Sequence, residues 1–178
     1  LFLRLCLFEA YNYKDLCLQQ LPEIKDSNIL CEPTMRNTAP CVAYAAFKIH
    51  SLNKQARMIV AASDHVIFDE DHFVKVVMNC LDVASKNDVL LTLGITPTRP
   101  ETGYGYIESE KELDCEELKG EKIIRFIEKP NKENATKFIS DKRFSWNSGI
   151  FFFKTKNFLD QVLIFCPEIY KLCKESLV

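Results

Sequence analysis

The sequence predicts an α/β fold with a mostly parallel sheet, and three observations carry that expectation. Short apolar runs without alternation, such as Met58–Ala62 and Asp88–Ile95, read as strands buried on both faces. Segments with helical apolar spacing separate them, the clearest being Phe73, Val76, Val77, Cys80, Leu81 and Ala84. The two kinds of segment alternate as βαβαβαβ, which calls for a sheet covered by helices.

The elements follow in order. Leu1–Phe8 reads as a buried strand, and Asn12–Leu21 as a helix stopped near Pro22. Asn28–Glu32 is a short strand closed by Pro33. Thr38 can cap the next helix, with Pro40 tolerated in its first turn, and Val42, Ala45, Ala46, Ile49 and Leu52 keep helical spacing. Met58–Ala62 delivers Asp64 to a strand exit, where ligands bind in open α/β sheets. Asp69 caps the following helix, and Asp88–Ile95 is the next strand. The strands Leu1–Phe8, Asn28–Cys31, Met58–Ala62 and Val89–Gly94 are expected to be parallel neighbours. Tyr104–Glu108 and Lys122–Glu128, joined through Gly120, read as a hairpin-like excursion. Asn134–Asp141 is a short helix, Gly149–Lys154 a strand, Asn157–Cys166 a helix, and Pro167 opens a last helix through Leu177.

The 178 residues suffice for one sizeable core, and the chain reads as a single domain, 1–178. Apolar residues make up 47% and charged residues 27%, with a net charge of −2, so neither nucleic acid nor an anionic membrane is expected as a partner. Leu1–Phe8 is too short to span a membrane and lacks signal-peptide features. The eight cysteines form no C-x-x-C, and their spacing suits neither zinc nor disulfides. They read as small core hydrophobes in a reducing, cytoplasmic compartment.

Five stretches at strand exits or the loops beyond can carry chemistry, and each has a plainer reading beside it. Glu32-Pro33-Thr34-Met35-Arg36-Asn37-Thr38-Ala39-Pro40 leads a strand end into a helix start, suited to an anion or a base edge, or is an ordinary cap. Ser63-Asp64-His65 offers a carboxylate for a metal, or a turn cap, with His65 a ligand or a structural residue. In Pro97–Ile107, glycines flanking Tyr104 let backbone approach a ligand, or simply make a turn. Glu128-Lys129-Pro130 could bind sugar hydroxyls and a phosphate, or form a surface ion pair. Asn147, after Trp146, could bond a hydroxyl or act as a turn residue.

In this order and spacing the five stretches resemble the mannose-1-phosphate guanylyltransferases (GDP-mannose pyrophosphorylases) of the sugar-nucleotidyltransferase superfamily. The residues that carry the likeness are Glu32-Pro33 with Arg36–Pro40, Asp64-His65, Pro100–Ile107, Phe126 with Glu128-Lys129-Pro130, and Trp146–Gly149. The likeness extends from Asn12 to about Ile169. Three departures stand beside it. The glycine-rich phosphate loop and the second metal-binding aspartate of that family are not found in these residues, and Met35 stands where a glycine is usual.

The resemblance implies a Rossmann-like three-layer nucleotidyltransferase domain, expected to be incomplete at both ends. It further implies transfer of a guanylyl group from GTP to mannose 1-phosphate, giving GDP-mannose and pyrophosphate, with Mg2+ as cofactor. Asp64 would hold the metal, and Asp64 and Lys129 would be catalytic. Tyr104, Gly105, Glu128, Lys129 and Asn147 would bind the sugar phosphate, while Glu32, Arg36, Asn37 and Thr38 would face the nucleotide. A glucose-1-phosphate thymidylyltransferase, a sugar-nucleotide-binding regulatory subunit without turnover, and a ligand-free structural fragment are the alternatives. Residues 1–178 alone are expected to be inactive and to self-associate as a homo-oligomer through an exposed sheet edge.

Overall fold

A computed structural model of the chain describes residues 7–10, 13–32, 38–62, 64–114 and 118–177. They form two compact units, Leu1–Ala56 with Thr155–Val178, and Arg57–Lys154.

In the first unit, β1 (Leu7–Ala10) pairs in parallel with β2 (Ile29–Glu32), Leu7 opposite Ile29 and Ala10 opposite Glu32. The expected first strand therefore extends to Ala10, and residues 1–6 lie outside the described ones. Helix α1 spans Lys14–Gln20, and a short 3-10 turn over Asp26–Asn28 leads into β2. Helix α2 (Thr38–Leu52) takes Thr38, expected as its cap, as its first residue and buries Val42, Ala43, Ala45, Ala46 and Phe47. The small alanines let α5 (Thr155–Phe165) and α6 (Pro167–Glu175) pack close against it. The ring of Phe47 meets Tyr170 edge-on at 4.9 Å. His50 Nδ1 lies 2.9 Å from the hydroxyl of the fully buried Thr155, and burial holds the His50 pKa below its ordinary value.

The second unit is organised around β7, which runs for eleven residues from Phe144 to Lys154. Along one edge it pairs antiparallel with β4 (Leu90–Ile95), from Leu90 opposite Phe153 to Ile95 opposite Trp146. Its other edge is shared. β3 (Arg57–Val60) takes Phe151–Lys154, and β5 (Tyr106–Ser109) takes Phe144–Trp146. β6 (Ile123–Ile127) pairs antiparallel with the outer side of β5, as the excursion predicted.

The mixed α/β class thus holds, and β1 and β2 are parallel neighbours as expected, but β3 and β4 are not adjacent. β3 and β4 run parallel to each other, yet β7 lies between them, antiparallel to both. Each apolar run satisfied the rule for a buried strand, but strand order depends on which distant segment inserts, and here that is the apolar run Ile150–Phe153. β3 and β4 are also part-buried rather than covered on both faces. Ala61 and Ala62, expected in β3, lie exposed beyond it.

Helix α3 (Glu70–Lys86) covers the sheet. Its Asp69 cap accepts the His72 N–H at 3.0 Å, and Leu81 packs on Ile150 and Phe152 with Phe73, Val77, Cys80 and Ile59 around them. Burial of each such large apolar side chain stabilises the fold by about 1.5–3 kcal/mol. A second cluster joins Tyr106, Phe144 and Trp146 to Ala135 of α4 (Lys132–Phe138), with Phe138 stacked on Phe144 at 4.3 Å. That helix starts before the expected Asn134, because the side chain of Asn131 already accepts the Asn134 N–H at 2.9 Å. The described cysteines (Cys17, Cys31, Cys41, Cys80, Cys166 and Cys173) are free thiols and half-buried rather than deep core. Among the described residues, no helix is long and apolar enough to cross a membrane.

Candidate functional site

The register of β7 brings several strand ends to one place. β4 exits at Ile95 opposite Trp146, and β5 enters at Tyr106 opposite the same residue. β6 exits at Ile127 opposite Tyr106, and β3 exits at Val60 opposite Phe151. Between those partners β7 bulges. Thr92 pairs with Phe151 and Gly94 with Asn147, so residues 148–150 of β7 face a single residue of β4. Gly149 supplies the positive φ of +72° that the bulge needs. Side chains close it. Ser148 Oγ donates to the Leu93 carbonyl at 2.9 Å, Thr92 Oγ1 to the Ile150 carbonyl at 3.0 Å, and the Gly149 N–H to Asn147 Oδ1 at 3.2 Å. Trp146, Asn147 and Ser148, which the sequence reading placed before a strand starting at Gly149, are therefore part of the strand itself.

One row beyond Tyr106, Ile127 and Trp146 stand Gly105, Glu128 and Asn147. The Asn147 N–H donates to the Gly105 carbonyl at 2.9 Å. A Cβ at Gly105 would lie 2.9 Å from Glu128 Oε2 and 3.8 Å from the Asn147 Cβ, so the three residues are in direct reach of one another. Tyr104, 45% exposed, meets the buried Trp146 edge-on with ring centroids 5.3 Å apart. Among the buried side-chain polar atoms described, Trp146 Nε1 lacks a hydrogen-bond partner. Lys129 follows Glu128 with φ of +42°, a conformation non-glycine residues adopt at a cost of about 1–3 kcal/mol and one that gathers at functional sites. Lys129 is exposed, as is Glu128. A carboxylate that only accepts and an amide that donates and accepts suit a ligand rich in hydroxyls, while an ammonium suits a phosphate.

The remaining sequence candidates are distributed differently. Asp64 and His65 stand exposed in the turn beyond β3, at the same end of the sheet as the bulge. Glu32 ends β2 and Thr38 opens α2, both in the first unit, while Arg36 and Asn37 lie outside the described residues. Among the described residues, no group of three His, Cys, Asp or Glu side chains is placed to hold a metal.

Sequence reasoning singled out the stretch Pro97–Ile107 for its glycines but gave Glu101 no role of its own. Glu101 Oε1 accepts the N–H groups of Thr102 and Gly103, each at 3.0 Å, and Oε2 accepts Arg99 Nε at 3.1 Å. The Gly103 N–H first, and then Arg99, hold the Glu101 carboxyl below the usual carboxylate range. The guanidinium of Arg99 lies 5.5 Å from the Trp146 ring centre and 6.0 Å from that of Tyr104. The available signal was a glutamate two residues before a glycine in a turn, which is too common to single out.

A family model described as nucleotidyl transferase matches residues 9–178. The chain is 39% identical over 163 residues to a mannose-1-phosphate guanylyltransferase of Escherichia coli strain K12, covering 90% of this chain and 34% of that protein. It is 41% identical over 162 residues to a mannose-1-phosphate guanylyltransferase of Salmonella montevideo, covering 87% and 33%. The chain thus spans about a third of the length of the curated relatives it matches. Among solved structures, it is similar to one described as mannose-1-phosphate geranyltransferase from Thermus thermophilus, with a TM-score of 0.82, 25% identity, and coverage of 97% of this chain and 48% of that one. A structure described as mannose-6-phosphate isomerase from Helicobacter pylori gives a TM-score of 0.77 at 33% identity, covering 94% and 62%.

Proposed function

Because the chain belongs to the nucleotidyl transferase family, we propose that it carries the sugar-phosphate side of a mannose-1-phosphate guanylyltransferase. A phosphate oxygen of mannose 1-phosphate attacks the α-phosphorus of GTP, the bond to the β-phosphate breaks, and GDP-mannose and pyrophosphate leave. Rate in such a transfer comes from positioning and charge neutralisation rather than from covalent chemistry with the protein.

The observation that supports this reading best is the row formed by Gly105, Glu128 and Asn147 at the bulge of β7. The Gly105 backbone with Tyr104, the Glu128 carboxylate and the Asn147 amide bind the mannose hydroxyls. Lys129 holds the sugar phosphate and neutralises charge during transfer. Glu32 and the Arg36, Asn37 and Thr38 segment serve the nucleotide.

A divalent metal of the Mg2+ kind fits Asp64 by donor chemistry. Mg2+ is bound through one or two carboxylates together with substrate phosphate oxygens and water, and Asp64 is an exposed carboxylate oxygen donor at a strand exit. When bound, the ion would neutralise phosphate charge. Asp64 supplies one carboxylate to hold it and is not itself a proton donor or acceptor in the transfer. One nucleotidyltransferase domain over 1–178, a cytoplasmic setting and a homo-oligomer complete the proposal.

The experiment is pyrophosphate release by the natural protein that contains this chain, supplied with GTP and mannose 1-phosphate, beside other nucleoside triphosphates and sugar 1-phosphates. Release that is greatest with GTP and mannose 1-phosphate supports the reading. Release only with another pair, or GDP-mannose binding without release, overturns it.

A further inference from the structure

The loop from Arg99 to Gly105 is organised around Glu101 and pinned at its downstream end by Asn147. The Glu101 carboxylate takes the Thr102 and Gly103 N–H groups and Arg99 Nε. The Glu101 carbonyl accepts the hydroxyl of Tyr106 at 2.9 Å, and Tyr106 is wholly buried in β5, paired with β6 and β7 on its two sides. The Glu101 N–H donates to the Arg99 carbonyl at 2.9 Å. Downstream, the loop is pinned again where the Gly105 carbonyl takes the Asn147 N–H. Between these two anchors lie only Thr102, Gly103 and Tyr104. Two of them give their amides to Glu101, and the third leans on Trp146.

We infer that Glu101 is a positioning residue: its carboxylate sets the Tyr104–Gly105 backbone against Glu128 and Asn147, and so fixes selectivity for the sugar phosphate without touching it. The inference rests on the proposed sugar site. A carboxylate accepting two successive amides makes a tight turn that a neutral side chain holds less strongly. Closeness at Gly105 makes the position sensitive, because Glu128 Oε2 already stands 2.9 Å from where a Cβ would be. Misplacement of backbone by a fraction of an ångström is enough to lose a well-aimed contact.

The test uses Glu101→Ala, Glu101→Gln and Glu101→Asp in the natural protein that contains this chain, with two measurements. The first is amide hydrogen exchange of residues 99–105 without substrate. Exchange at Thr102 and Gly103 should quicken by about tenfold or more in Glu101→Ala, less in Glu101→Gln, and least in Glu101→Asp. The second is steady-state kinetics. The KM for the sugar phosphate should rise by about tenfold in Glu101→Ala, while the KM for the nucleotide stays within about twofold. Wild-type turnover is measured first across several substrate pairs. If mannose 1-phosphate with GTP fails, the proposed function falls, and the split is read on the pair that does turn over. Unchanged exchange at Thr102 and Gly103 overturns the inference whatever the substrate. Quickened exchange with equal losses for sugar phosphate and nucleotide overturns it too, since the loop would then serve the whole domain.

Discussion

Gly105→Ala separates the site from the fold more cleanly than removal of any side chain. The new methyl would lie 2.9 Å from Glu128 Oε2, and ordinary contact begins at 3.4 Å, so the carboxylate must retreat by about 0.5 Å. Glu128 is exposed and its carboxylate is the far end of a flexible side chain, so it can swing away. Gly105 is not among the residues with positive φ, so alanine meets no backbone strain there. Reduced freedom of the unfolded chain contributes about 0.4–1 kcal/mol in favour of alanine. The net change in stability is therefore within about 1 kcal/mol, or about 2–4 °C in Tm. A displaced carboxylate forfeits one or two hydrogen bonds to sugar hydroxyls, at about 0.5–1.5 kcal/mol each. For one bond that is a rise of about 2- to 13-fold in the KM for mannose 1-phosphate. The assay is a double-mutant cycle with Glu128→Ala, read by pyrophosphate release and thermal unfolding. If Gly105 acts through Glu128, adding Gly105→Ala to Glu128→Ala changes the KM little further. Strictly additive losses, or a fall in Tm of about 10 °C, would refute the reasoning.

Three further outcomes are expected. Asp64→Asn should lower kcat by about a hundredfold or more in the presence of magnesium, with Tm unmoved, since the side chain is exposed; near-normal turnover counts against a metal role. Asn147→Ala should weaken mannose 1-phosphate far more than GTP, and should lower stability by about 1 kcal/mol because the Gly149 N–H loses its acceptor, as urea unfolding would report. The third concerns pH. The folded-state pKa of Glu101 lies below its unfolded value, so its support of the loop is fully present above the ordinary carboxylate value of about 4.3 and is lost as pH falls through the folded value. Protection of the Thr102 and Gly103 amides should persist below about pH 4.3 in wild type and be absent at every pH in Glu101→Ala.

Local features of this fold were legible in the sequence where the determinants are local. Helix α3 was marked by the Asp69 cap and an apolar face from Phe73 to Ala84, and the structure has both. The excursion of β5 and β6 was marked by two short runs around a glycine. Strand order was legible for β1 and β2 but not around β7, because where β7 inserts depends on segments far apart in the chain. The start of β7 was hidden for another reason. Ser145, Asn147 and Ser148 look like turn formers, but the Asn147 amide and the Ser148 hydroxyl satisfy the backbone of a bulge inside the strand. Gly105, Glu128 and Asn147 could be named individually; their standing in one row followed only from the pairing of Tyr106 with both Ile127 and Trp146. Glu101 was named only as part of Pro100–Ile107 and given no role, because its partners are mainly backbone amides, which carry no side-chain signature.

The central position of β7 also bears on how the chain reaches its native state. β3 ends at Val60 and β4 at Ile95, yet the strand that both pair with opens only at Phe144. Neither can complete its described ladder until that later segment arrives, so loop closure precedes most of the sheet's stabilisation and folding is slowed. In the interval two part-apolar strands present unpaired edges, and the arriving partner is Ile150-Phe151-Phe152-Phe153, a run with strong tendency to pair with copies of itself. Recovery of soluble protein should therefore depend on chain concentration during refolding more steeply than on the final stability of the sheet.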